Sequence, residues 1–235
     1  MQSQLKRVVL ALALSSVAGV AAAQTFEATA TVQNAVTIAE TTPFSFGTLF
    51  ATATALGLAA GAADNTYSQK LTLNPTTGVV STATPGANVG PAIQSLGGGA
   101  AGAYSAPGLP SNATVVVAIL DNDDTQADFT NAATVAAAEC VYDTPEDARQ
   151  DGRIVMSNDI GDPTIAFFCI DNFTSNRAGL LDAAGGTGYA LGFGVTELTF
   201  QLGATLVAQV PATAITRSYE AGTYTASFDM EVRFP

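Results

Sequence analysis

The chain has 235 residues, 20 acidic and 8 basic, for a formal net charge of −12, and contains no histidine. That balance excludes electrostatic binding of nucleic acid and argues against anionic membrane surfaces. The missing histidine removes Ser-His-Asp and Cys-His catalysis. Charged residues make up 12 % and hydrophobic residues 48 % of the chain, the composition of a folded domain rather than a solvated acidic tail.

Residues 1–23 read as a secretory signal peptide. Lys6 and Arg7 supply the basic start, Val8 to about Val20 the apolar stretch, and Ala21-Ala22-Ala23 the cleavage site. The apolar stretch is short for a membrane span. The expectation is therefore an exported chain with no membrane span after cleavage, in the periplasm, at the cell surface or outside the cell. The mature part would be residues 24–235, with 8 − 2 = 6 basic residues against 20 acidic ones, a net −14.

Phe26, Ala28, Ala30 and Val32 alternate with Glu27, Thr29 and Thr31, which predicts a strand right after the cleavage site. Phe44–Phe50 predicts another, with Gly47 marking a bulge or a close backbone approach, and Tyr67–Leu73 a third. Residues 75–111 carry Pro75, Pro85, Pro91, Pro107, Pro110 and the Gly97-Gly98-Gly99 run. They read as a Gly/Pro-rich loop or excursion, with a short strand around Val79-Val80. Ala113–Leu120 is a compact apolar run typical of a buried strand. Ala127–Ala138 is the candidate for one short helix. Ile154–Met156, Thr164–Ile170 and Tyr189–Phe193 read as strands, and Leu198–Val210 as one or two more.

The last strand is the most regular. Tyr224, Ala226, Phe228, Met230, Val232 and Phe234 fall on one face, while Thr223, Thr225, Ser227, Asp229, Glu231 and Arg233 fall on the other. A terminus patterned in this way is built to sit in a sheet. The fold expected is all-β: a single antiparallel β-sandwich over residues 24–235, immunoglobulin-like, with long loops and one short helix.

In an exported protein the only two cysteines, Cys140 and Cys169, read as a disulfide, with two buried free thiols as the alternative. Closing a loop of about thirty residues stabilises a fold by roughly 3–4 kcal/mol on the chain-entropy model. Asp121, Asp123 and Asp124 are the weak candidates for a cation site, although their loop lacks the glycine and distal glutamate of an EF-hand. Asp143, Glu146, Asp147 and Asp151 read as a solvated loop. Gly185–Gly188 lacks the lysine or helix of a phosphate loop and reads as a hairpin turn. No enzymatic activity and no cofactor are expected.

Strongly alternating strands at both ends of an exported chain resemble the subunits of bacterial chaperone–usher fimbriae (pilins). In that family the C-terminal strand carries a glycine fourteen positions from the end and an aromatic penultimate residue; Gly222 and Phe234 stand there in this chain. The chain also resembles the exported bacterial domain-of-unknown-function family numbered 4402. It shares that family's opening strand (Ala28–Val32), a Phe46-Gly47-Thr48 element, and Gly222-Thr223-Tyr224 before a last alternating strand. These resemblances imply an incomplete sandwich finished by strand complementation. Phe26, Ala28, Ala30 and Val32 would form the donor face. Gly222, Tyr224, Phe228, Met230, Val232 and Phe234 would mark the acceptor edge. The implied partners are neighbouring copies of the chain and a periplasmic chaperone. The alternative is a monomeric exported adhesion or binding module, for a glycan or calcium, whose sandwich is completed by its own N-terminal strand.

Overall fold

The computed structural model describes residues 36–52, 69–83, 91–120, 145–150, 153–158, 166–181, 187–210 and 219–235, all within the unit Ala35–Pro235. Twelve strands and one helix are found among them. They run β1 (Ala39–Thr42), β2 (Thr48–Thr52), β3 (Lys70–Leu73), β4 (Val80–Ala83), β5 (Ala92–Gly97), β6 (Gly102–Pro107), β7 (Thr114–Leu120), α1 (Pro145–Gln150), β8 (Ile154–Met156), β9 (Phe167–Ser175), β10 (Tyr189–Ala190), β11 (Glu197–Gln209) and β12 (Asp229–Arg233). Every strand pairing is antiparallel.

The 13-residue β11 organises the larger sheet. Along one edge its first half pairs with β6 and its second half with β3; along the other edge it pairs with β9. The chain crowds where β3 ends and β6 begins. A Cβ at Gly203 would overlap the Leu73 carbonyl oxygen and lie 2.8 Å from Pro75 Cδ, so glycine is required there by close approach. β1 extends the sheet beyond β6, β4 beyond β3, and β8 beyond β9. A second sheet has the order β10-β7-β12, and β2 and β5 form a separate two-stranded ribbon.

The sandwich closes through alternation. Leu198, Phe200, Leu202, Ala204, Leu206 and Ala208 of β11 share one buried cluster with Val115, Val117 and Ile119 of β7 and Val232 of β12. The opposite face of β8 and β9 is covered by α1, whose Ala148 packs with Val155 and Phe167. Pro145 at its first position and Glu146 and Asp147 in its first turn suit a helix start. The Arg153 N–H donates to the Ala148 carbonyl at 2.8 Å, and the nearly buried Arg153 guanidinium lies 3.4 Å from Asp171.

The result is an all-β sandwich with one short helix, and several local expectations need correction. Residues 75–111, read as a loop or excursion, contain β4, β5 and β6. Their Ala, Ser, Thr and Gly residues carry weak strand propensity, and pairing with β3, β2, β1 and β11 overrides it. The acidic stretch read as a solvated loop holds α1, because Ala148 gives it one apolar contact. The strand expected over Tyr189–Phe193 stops at Ala190; Phe193 stands in a turn in which the Val195 N–H donates to Gly192 O at 3.1 Å. Of the strand expected over Thr164–Ile170, residues 164–165 lie outside the described residues and β9 runs on to Ser175, and Leu198–Val210 is one strand. Gly47 has φ +77° and would clash with Gly97 and Gly98 if it carried a Cβ, the close approach expected of it. Cys169 is buried with Val207 and is not a free thiol. Cys140, the donor residues Phe26, Ala28, Ala30 and Val32, Asp121, Asp123, Asp124 and the helix candidate 127–138 lie outside the described residues.

Candidate functional site

β1 ends the larger sheet and β12 ends the smaller one, and neither has a second strand partner among the described residues. Between these two edges lies a groove of about 1130 Å³. That exceeds the roughly 300–1,000 Å³ of ordinary small-molecule sites. One wall is built from Ile38 just before β1, Glu40 of β1 and 43–51, the other from 219–230, and the floor from Tyr104, Met156, Phe168 and Ile170.

Alternation explains the floor. Phe168 and Ile170 share a parity on β9 and face the sandwich core, and Tyr104 projects from β6 beside Phe200 at a ring separation of 5.4 Å. The 219–230 wall is pinned by hydrogen bonds rather than by a continuous ladder. The Tyr219 hydroxyl lies 2.9 Å from the Gln209 carbonyl and 3.3 Å from that of Phe167. The Tyr224 hydroxyl donates to Glu220 O at 3.1 Å, Asn158 Nδ2 donates to Glu220 Oε2 at 3.3 Å, and Thr225 bridges to Ser157.

Aromatic rings join the walls to the floor. Phe44 meets Phe228 edge-on at 6.2 Å, and Phe173 approaches Phe228 at 5.3 Å. Phe168 stacks on Tyr219 at 4.7 Å and meets Tyr224 edge-on at 5.0 Å. The groove contains three acidic residues, Glu40, Glu220 and Asp229, and no basic one. An acidic or phosphorylated occupant would meet repulsion, whereas an uncharged apolar face would not.

The residues expected on the acceptor edge separate. Gly222, Tyr224, Phe228 and Met230 line the groove. Val232 is buried in the core, and Phe234 is 51 % exposed beyond the last pairing. The regular strand is also shorter than the alternation predicted. Asp229 lies opposite Leu120, the last described residue of that part of the chain, and, among the described residues, 224–228 are held by the Thr225–Ser157 bridge and by side-chain contacts. Phe46-Gly47-Thr48 and Gly222-Thr223-Tyr224 both line the groove.

Sequence reading missed Phe44, Met156, Phe168 and Tyr219 as groove residues. Their apolar character was visible, but their convergence depends on strand order. Among the described residues no cluster of His, Cys, Asp or Glu could hold a metal ion, and no helix is long and apolar enough to cross a membrane.

Three groove tyrosines resist ionisation. Burial and the nearby Glu40 carboxylate push Tyr104 up to about 12. Burial likewise raises Tyr219 and Tyr224 above the ordinary phenol value. A raised folded-state value favours the folded state fully below the unfolded value of about 10, and this contribution is lost as pH climbs through the folded value. Stability is therefore expected to fall between about pH 10 and 12. Tyrosinate absorbance should show Tyr104, Tyr219 and Tyr224 ionising at higher pH in the folded protein than in the unfolded chain. Free titration of all six tyrosines in the folded protein would contradict the buried placement.

No protein-family model, curated protein or solved structure matches the chain.

Proposed function

We propose that this chain is an exported, non-enzymatic structural subunit of a fimbria or surface coat, assembled by β-strand complementation. The observation carrying this reading is the groove between β1 and β12, each of which has one strand partner among the described residues. Tyr104, Phe168 and Ile170 beneath the groove are themselves buried, so what an extended segment would supply is pairing for the strand edges and cover for the groove walls. Backbone groups would pair along the edge while alternate side chains reach Tyr104, Met156, Phe168 and Ile170.

The donor proposed is the segment Phe26, Ala28, Ala30 and Val32 of a neighbouring copy, with a periplasmic chaperone occupying the groove beforehand. Its inward side chains are uncharged, and Glu27 falls on the outward face, which suits a groove lined by acidic but no basic residues. The presence of both Phe46-Gly47-Thr48 and Gly222-Thr223-Tyr224 in the groove lining supports the proposed kinship with the exported family numbered 4402 and with pilins. A Cys140–Cys169 disulfide belongs to the same proposal.

The test is electrophoresis of the purified mature chain in mild detergent without boiling. A ladder of non-covalent multimers is expected, collapsing to monomer on boiling. Ala30→Asp, which places a carboxylate on the inward donor face, should abolish the ladder. A strictly monomeric wild-type chain, with residues 24–32 protected from hydrogen exchange, would show instead that the strand completes its own sandwich.

A further inference from the structure

We infer that the end of the sandwich carrying Phe193, Val195 and Phe234 docks on the Phe50–Leu96 face of a second copy of this chain; the inference rests on the strand-donation reading above. Strand registers locate that end. Ala39 at the start of β1 lies opposite Ser105, Glu197 at the start of β11 opposite Pro107, and Arg233 at the end of β12 opposite Val116. Val36, where the described chain begins, therefore gathers at one pole with loop 108–113, turn 191–196 and Phe234.

That pole is apolar and rigid. Phe193 is 92 %, Phe234 51 % and Val195 41 % exposed. The turn holding Phe193 is fastened to the neighbouring loop. Gly194 N–H donates to Ser111 Oγ at 2.7 Å, Leu191 N–H to Ala113 O at 2.8 Å, and Leu109 N–H to Thr196 O at 2.9 Å. A phenylalanine exposed on a turn whose backbone is already fastened has little backbone freedom to lose on docking, which suits a binding anchor.

The remaining large exposed hydrophobics among the described residues lie elsewhere: Phe50 at 57 %, Leu96 at 62 % and Val79 at 60 %. Phe50 and Leu96 belong to the β2–β5 ribbon, and Val79 ends the turn whose Gly78 approaches Ala101. Phe50 also lines the groove. Among the described residues, large apolar side chains are thus exposed at the pole where the described chain begins and, through Phe50 and Leu96, on the ribbon beside the groove. Two unlike surfaces that meet make a head-to-tail contact able to repeat indefinitely.

Chain length selects the occupant. Only Gln33, Asn34 and Ala35 separate Val32 from Val36. At no more than about 3.6 Å per residue, these four steps span at most about 14 Å. A donor seated as far as Val32 in a neighbour's groove therefore holds that neighbour against this pole.

The experiment uses the mature full-length chain with a photo-crosslinking p-benzoylphenylalanine in place of Phe193, alongside Phe193→Asp. Irradiated multimers should give crosslinks from position 193 to 48–52 or 92–97 of another copy. Multimers of Phe193→Asp should dissociate faster by on the order of tenfold, the scale of one lost anchor, with the monomer's Tm unchanged. Crosslinks mapping elsewhere, or a Phe193→Asp ladder as durable as wild type, would overturn the docking inference and leave strand donation standing. A wild-type chain that forms no ladder overturns both.

Discussion

Gly203→Val is expected to lower stability by about 3–5 kcal/mol, at the upper end of what single substitutions do. The added Cβ would overlap the Leu73 carbonyl oxygen and stand 2.8 Å from both Cδ and N of Pro75. These obstacles are backbone and ring atoms, which cannot rotate aside as the end of a long side chain can. Leu202 just before it pairs with β6 and β9, and Thr205 two residues after it pairs with β3 and β9. Any shift of β11 is thus resisted from both edges. Gly194→Ala is the control, since a Cβ there meets nothing within 4 Å and the penalty comes only from φ +76°. That left-handed backbone costs about 1–2 kcal/mol. Urea unfolding monitored by circular dichroism compares the two through the midpoint at unchanged slope. A Gly203→Val midpoint within error of Gly194→Ala would mean that the strands do not converge as described.

Phe168→Ala is expected to cost about 3–5 kcal/mol, the range for deleting a buried phenylalanine. Phe168 is 2 % exposed and contributes the ring on which Tyr219 stacks at 4.7 Å and against which Tyr224 packs at 5.0 Å. Its removal deletes the contact joining the groove floor to the 219–230 wall. Because Tyr219 resists ionisation mainly through burial, the variant should also begin to release tyrosinate at lower pH than wild type. Phe168→Leu, which refills part of the volume, should recover a substantial share of the stability. Chemical denaturation gives the first readout and alkaline difference absorbance the second. Loss of stability with an unchanged tyrosine titration would separate Phe168 from the groove wall.

The legible parts of this fold were those in which one residue pattern meets one environment. Ala113–Leu120 is apolar enough to declare a buried strand, and β7 lies there with Val115, Val117 and Ile119 in the core. The alternation of 229–233 is likewise matched by a strand with Val232 inward. Segment 92–107 was not legible, because Ala92–Gly97 and Gly102–Pro107 are built largely from small residues that pair well only when a partner strand is supplied. α1 was missed because one buried alanine on a six-residue helix leaves no periodicity to detect. Half of the groove was visible, in Tyr224, Phe228 and Met230. The other half, Phe44, Met156, Phe168 and Tyr219, comes from four segments whose adjacency no local pattern encodes.

Composition and alternation by themselves determined that this chain is acidic, lacks histidine, is rich in strands and ends in a strand with one apolar face. Those are properties of single segments, set by side-chain chemistry and by the two-residue period of an extended backbone. Tertiary structure alone decided that, among the described residues, the last strand and the first strand each end a sheet and that a groove runs between them. Strand order depends on pairings between residues far apart in the chain, as when β11 meets β3, β6 and β9 at once. A local pattern can orient a side chain toward a core, but only the assembled sheets determine where that core is left open.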